Sequence, residues 1–148
     1  MTQARLSETL PGTWQLLSRI DLTASGARRP EPSLGEDPDA LLIYDRGGNF
    51  AAQFMRRDPS VDVPDGPSGA RNNSRAQGGY DAYFGTYTID DENGTVTQRL
   101  TGALSRENVG LVLTRAMAVR GDTLIITLDT NAADGTPVTR SLTWRRVG

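Results

Sequence analysis

Gly12-Thr13-Trp14-Gln15-Leu16-Leu17-Ser18-Arg19-Ile20-Asp21-Leu22 is the stretch on which the fold turns. Trp14, Leu16, Ser18, Ile20 and Leu22 fall on one face of an extended chain, and Thr13, Gln15, Arg19 and Asp21 on the other. A period of two with one apolar face describes a strand that covers a core on one side. Working outward, similar runs recur at Ala40–Asp45, Asn49–Arg56, Tyr83–Asp90, Thr95–Leu104, Leu111–Arg120, Thr123–Asp129 and Pro137–Val147. The links between them are turn chemistry: Arg46-Gly47-Gly48, Asn93-Gly94 and Gly121-Asp122. Eight short strands with tight sequential links predict an all-β fold, an eight-stranded antiparallel up-and-down β-barrel with little helix. Closure removes the exposed edges that an open sheet would leave.

Two segments break the rhythm. Residues 23–39, rich in Pro, Gly, Ser and Asp, read as a loop, and residues 58–79 form the longest irregular stretch. A loop that long inside a compact domain is a functional lid or a flexible segment. Residues 1–11 are a polar lead-in with room for one helical turn before Pro11. The whole of 1–148 reads as one domain.

The chain has 148 residues and a formal net charge of -2, with 16 basic and 18 acidic residues. All the basic residues are Arg, and they are scattered, so no basic face draws nucleic acid or anionic lipid. There is no Cys, His or Lys. That excludes thiolate chemistry, the usual neutral-pH general base, and Schiff-base catalysis. A zinc site would have only carboxylates to use. The expectation is therefore no metal and no cofactor. The start of the chain lacks an apolar signal core, and no apolar run approaches the ~20 residues of a membrane span. A cytoplasmic location without membrane contact is expected, and a homodimer is left open.

Gly12-Thr13-Trp14 on the first strand and Thr143-Trp144-Arg145-Arg146-Val147 on the last carry a resemblance. With Leu41-Leu42-Ile43-Tyr44-Asp45-Arg46-Gly47-Gly48 and Tyr83-Phe84-Gly85-Thr86-Tyr87, followed by Gly94-Thr95-Val96-Thr97, the chain resembles the lipocalin-like domain family of the calycin superfamily. The likeness is to its bacterial and fungal branch rather than to secreted transport lipocalins. It implies a barrel, a small-molecule cavity, and an Arg laid on a Trp at the barrel base. It implies no single activity. One departure is Gln98-Arg99, where the family often has His after the Val-Thr pair.

The alternation also nominates site residues. Trp14, Phe50, Phe54 and Met117 are inward apolar candidates for a ligand wall, or simply core. Tyr44, Tyr83 and Tyr87 offer stacking area with a polar tip. Gln98, between Val96 and Leu100, has an amide that can donate and accept in a cavity. Arg115, between Leu113 and Met117, is a cation in phase with the apolar face. It requires a Trp ring, a loop carboxylate or a ligand oxygen as partner. No acidic residue falls on the inward faces so assigned. Asp90-Asp91-Glu92 precedes Asn93-Gly94 and reads as a hairpin tip, not an acid–base pair.

Three functions fit. The first is binding of a small apolar or aromatic molecule in the barrel. The second is a cofactor-free biosynthetic cyclase or isomerase of a polyketide-like or terpenoid-like intermediate, working through orientation with Tyr87 and Arg115 as catalytic groups. The third is a filled barrel that binds another protein.

Overall fold

The computed structural model describes residues 4–148; Met1, Thr2 and Gln3 of the polar lead-in lie outside the described residues. The strands are β1 (Gly12–Leu22), β2 (Arg28–Arg29), β3 (Asp39–Tyr44), β4 (Asn49–Met55), β5 (Tyr80–Asp90), β6 (Thr95–Ala103), β7 (Val112–Arg120), β8 (Thr123–Asn131) and β9 (Pro137–Arg146). Every pairing is antiparallel, and each of β3 to β9 lies beside its neighbour in sequence. β1 pairs with both β3 and β9, which closes an eight-stranded barrel. β2, inside the segment expected to be loop, adds two residues against the outer end of β1. Among the described residues no helix is long and apolar enough to cross a membrane.

The expected inward faces hold for β4, β6, β7, β8 and β9, whose alternate residues are buried along the strand, save the last in-phase position of β6 and β9. β1 needs a correction. Leu16 pairs with Trp144 and Ser18 with Thr143, so Leu17 is an extra residue without a partner. A bulge of one residue moves every later side chain to the opposite face. Trp14 and Leu16 point inward as expected, but Leu22 is exposed and Ile20 only half-buried. Arg19 and Asp21 are buried instead. β5 also starts three residues earlier than the sequence suggests, which makes Asp81 a buried strand residue. The expectation of no acidic residue inside the barrel is therefore wrong at two positions.

One end of the barrel is plugged. The short helix α1 (Leu6–Thr9) and the residue after it bury Leu6 and Leu10 in the core. Asp91 pins this plug by accepting from the Ser7 amide at 2.8 Å and hydroxyl at 2.6 Å. Asp90 accepts from the Asn93 amide at 3.1 Å and closes the hairpin turn. Both carboxylates thus have structural work at the surface, as a hairpin tip should.

The other end is covered by loops. Segment 58–79, read as a loop or lid, crosses it with defined bonds to the strand ends. Thr130 Oγ1 donates to the Arg71 carbonyl at 2.5 Å, and Asn72 Nδ2 to the Asp129 carbonyl at 3.0 Å. Ser105 Oγ, just before a 3-10 turn (Arg106–Asn108), donates to the Arg75 carbonyl at 2.8 Å.

Candidate functional site

At the plugged end, Arg146 lies over the Trp14 ring, 4.3 Å from its centroid. Its guanidinium also donates to the Pro11 carbonyl at 3.1 Å and to the Thr9 carbonyl. The Trp14 indole N–H donates to the Leu10 carbonyl at 3.0 Å. Arg146 is thus the arginine that seals the barrel base. No aromatic ring takes that role for Arg115, because Arg146 on Trp14 is the one cation–π contact among the described residues.

Toward the covered end the interior holds a cavity of about 50 Å³. An aromatic chain runs along the interior through edge and stacked contacts: Trp144 to Phe54 (5.7 Å between centroids), Phe54 to Tyr83 (6.3 Å), Tyr83 to Phe50 (6.1 Å), Phe50 to Tyr44 (6.0 Å) and Tyr44 to Tyr87 (4.9 Å). Of the residues nominated from sequence, Tyr44, Phe54, Tyr83, Gln98 and Arg115 line the cavity. Phe50 stands behind Tyr44 and Tyr83, and Met117 approaches the Tyr44 hydroxyl with its sulfur at 4.0 Å. Trp14 belongs to the sealed base. The Tyr87 hydroxyl donates to the Asp45 carbonyl. These last four are not cavity-lining residues.

The polar groups around the cavity are mostly matched. Tyr44 donates its hydroxyl to Gln98 Oε1. Burial pushes the Tyr44 phenol well above its ordinary range and the Tyr83 phenol to about 12. Both are therefore proton donors at neutral pH, not bases. Arg140 grips Asp21 with two bonds, Nε to Oδ1 at 2.7 Å and Nη2 to Oδ2 at 3.0 Å. Arg19 meets Glu31 at 2.9 Å, and the Ser33 amide and hydroxyl and the Leu34 amide also donate to that carboxylate. Burial alone would raise the Glu31 carboxyl, but the Arg19 charge and the backbone and Ser33 hydrogen bonds outweigh it and hold it at about 2.

Asp81 is different. Burial pushes its carboxyl up to about 6, against the pull of the Ser74 hydroxyl, which donates to it at 2.6 Å. Among the described residues no guanidinium lies within 4 Å of it. A raised carboxyl stabilises the fold at low pH and loses that contribution as pH rises through the folded value. Stability should fall between about pH 4 and 6, by up to about 3 kcal/mol at 1.36 kcal/mol per unit. Glu31 has the opposite sign: its contribution is present above pH 4.5 and lost as pH falls toward 2. Urea midpoints measured from pH 4 to 7 should show the decline, and Asp81→Asn should abolish it.

One buried cation lacks a counter-charge, and one buried donor lacks a partner. Arg115 is 5% exposed; its Nη1 donates to Asn72 Oδ1 at 2.8 Å, and no carboxylate lies within 4 Å among the described residues. Trp144 Nε1 is the one buried side-chain polar atom among the described residues with no hydrogen-bond partner. Both residues line the cavity.

Sequence reading missed Arg19, Asp21, Glu31, Asp81 and Arg140. Arg140 was findable, because it precedes Leu142 and Trp144 in phase. Asp81 was findable two residues before Tyr83, had that strand been drawn longer. The bulge that turns Arg19 and Asp21 inward leaves no trace in the alternation, and nothing in the Pro-rich run around Glu31 marks it as an ion-pair partner.

The family model described as a lipocalin-like domain matches residues 11–147. No curated protein gives a match.

Proposed function

The chain belongs to the lipocalin-like domain family, and on that premise we propose that its barrel binds a small apolar or aromatic molecule in the cavity beneath segment 58–79. The observation that carries this reading is the unpartnered Trp144 indole N–H in an aromatic-lined interior. A donor buried without a partner costs about 1–3 kcal/mol, so nearly all such groups in folded proteins are satisfied. A ligand acceptor would satisfy this one. A barrel filled only for stability gains nothing from leaving it bare.

A cavity of about 50 Å³ is smaller than the ~300–1,000 Å³ of a typical ligand site. Entry therefore requires segment 58–79 to move, since its Gly66, Pro67, Asn73, Ser74 and Ala76 line the same space. In this reading the segment is a lid, and Tyr44, Gln98 and Arg115 are the polar anchors.

A second reading, cofactor-free cyclisation or isomerisation, draws support from Asp81. A carboxyl near 6 is suited to general acid–base work at neutral pH. In that case Asp81, rather than Tyr87, is the proton-transfer group, in the cavity that Arg115 also lines.

Native mass spectrometry of the purified protein, compared with its denatured mass, tests the first reading, together with a titration against aromatic and polyketide-like compounds. The expected result is a retained molecule or saturable binding of panel members. No retained mass and no binding across the panel would contradict it. If a bound compound is converted, Asp81→Asn should abolish turnover while binding persists.

A further inference from the structure

We propose that the molecule taken by this cavity carries an anionic oxygen group, a carboxylate or an enolate, that replaces the Asn72 side-chain carbonyl on the Arg115 guanidinium. The inference rests on the cavity reading above and adds the ligand's charge and its seat.

Three guanidinium groups line the cavity: Arg19, Arg115 and Arg140. Arg19 has Glu31 at 2.9 Å and Arg140 has Asp21 at 2.7 Å. Arg115 has only a neutral amide. A buried cation without a counter-charge is among the costliest arrangements in a folded protein. The guanidinium fork matches a carboxylate in shape and charge, and a single amide oxygen uses only part of it.

The amide also comes from the covering segment. Asn72 holds φ +62° and is the one non-glycine residue with positive φ among the described residues. Its Nδ2 is bonded to the Asp129 carbonyl at the strand end, so the residue links the lid, the rim and Arg115. A ligand anion on Arg115 takes the place of this internal acceptor and releases one of the bonds that hold the lid down.

The unpartnered Trp144 indole N–H gives the ligand a direction. Trp144 pairs with Leu124 on β8, whereas Arg115 precedes Ala116, which pairs with Thr127, so continuing that register puts Arg115 opposite Leu128. Four residues along a strand are about 13 Å at the backbone. The anionic end therefore lies toward the lid, and a carbonyl or hydroxyl oxygen toward the plugged end meets the indole N–H. Asp81 is the carboxyl such an anion would approach. Its main cationic neighbour is Arg19 rather than Arg115.

Calorimetric titration of the intact chain with matched probes tests this: 2-naphthoate against 2-naphthamide, and cinnamate against cinnamamide. The acids should bind at least about 10-fold more tightly than the amides, the scale of a charge-assisted hydrogen bond. In Arg115→Gln the preference should drop below about 3-fold, with amide affinity little changed. Asn72→Gly keeps the positive φ and removes the internal acceptor, so it should tighten acid binding several-fold and decides the matter should Arg115→Gln not fold. Equal binding of acid and amide to the unaltered chain would overturn the anion proposal and leave the cavity reading standing. Failure of every probe to bind would overturn both.

Discussion

Replacing Arg140 by methionine should cost about 3–5 kcal/mol of folding stability, because it strands the Asp21 carboxylate inside the barrel. Asp21 and Arg140 have side chains 4% and 5% exposed, and their two bonds at 2.7 and 3.0 Å are the hydrogen bonds found for that carboxylate. They also sit on β1 and β9, so the pair spans the seam at which the barrel closes. The double variant Asp21→Leu/Arg140→Met should recover most of the loss, since a buried ion pair replaced by apolar residues of similar volume is often close to neutral. Equilibrium denaturation in urea reads both numbers. If the single variant is nearly as stable as the unaltered chain, Asp21 has access to water that its burial does not suggest.

A second large loss is expected from Gly85→Ala. The β5–β6 register slips here: Phe84 faces Gly102 and Gly85 faces Leu100, leaving Thr101 as the extra residue. The bulge presses the neighbouring backbone against Gly85 so closely that an added Cβ would lie 1.8 Å from the Arg99 carbonyl oxygen. A main-chain atom cannot swing aside as a side chain can, so strand pairing itself must shift. The expected cost is upwards of about 3 kcal/mol, at the severe end for one added methyl group. Gly47→Ala, where the nearest atom is an Asp45 carboxylate oxygen at 3.4 Å, is the control and should change stability by less than about 1 kcal/mol. The room that Gly85 leaves is filled by the neighbouring strand, not held open for a ligand.

These two positions also show how far the sequence can be read. The eight barrel strands follow from alternation and turn chemistry because each buries one face, and Asn93-Gly94 or Gly121-Asp122 leaves little choice of where the chain reverses. The bulges do not show. At Leu17 the pattern continues with apolar Ile20 and Leu22, so alternation alone keeps them inside. What turns Arg19 and Asp21 inward is a pair of partners, Glu31 in a loop and Arg140 on the far end of the chain. Such partners are visible only once the barrel is closed. Arg115 was legible as an in-phase cation, and the Arg146–Trp14 contact settles which arginine seals the base. The unpartnered Trp144 N–H had no sequence signature, because two tryptophans with the same local alternation differ only in what stands beside their nitrogens.

That difference supplies the most direct test. The chain has two tryptophans and hence two indole N–H resonances in a ¹⁵N-correlated proton spectrum. Trp14 N–H is committed to the Leu10 carbonyl, and Trp144 N–H is buried without a partner on a residue that lines the cavity. Titration with a panel compound that binds should move the Trp144 resonance downfield, as it gains an acceptor, and leave the Trp14 resonance in place. A bound compound that leaves the Trp144 signal unmoved, or shifts only Trp14, would contradict ligand binding in this cavity.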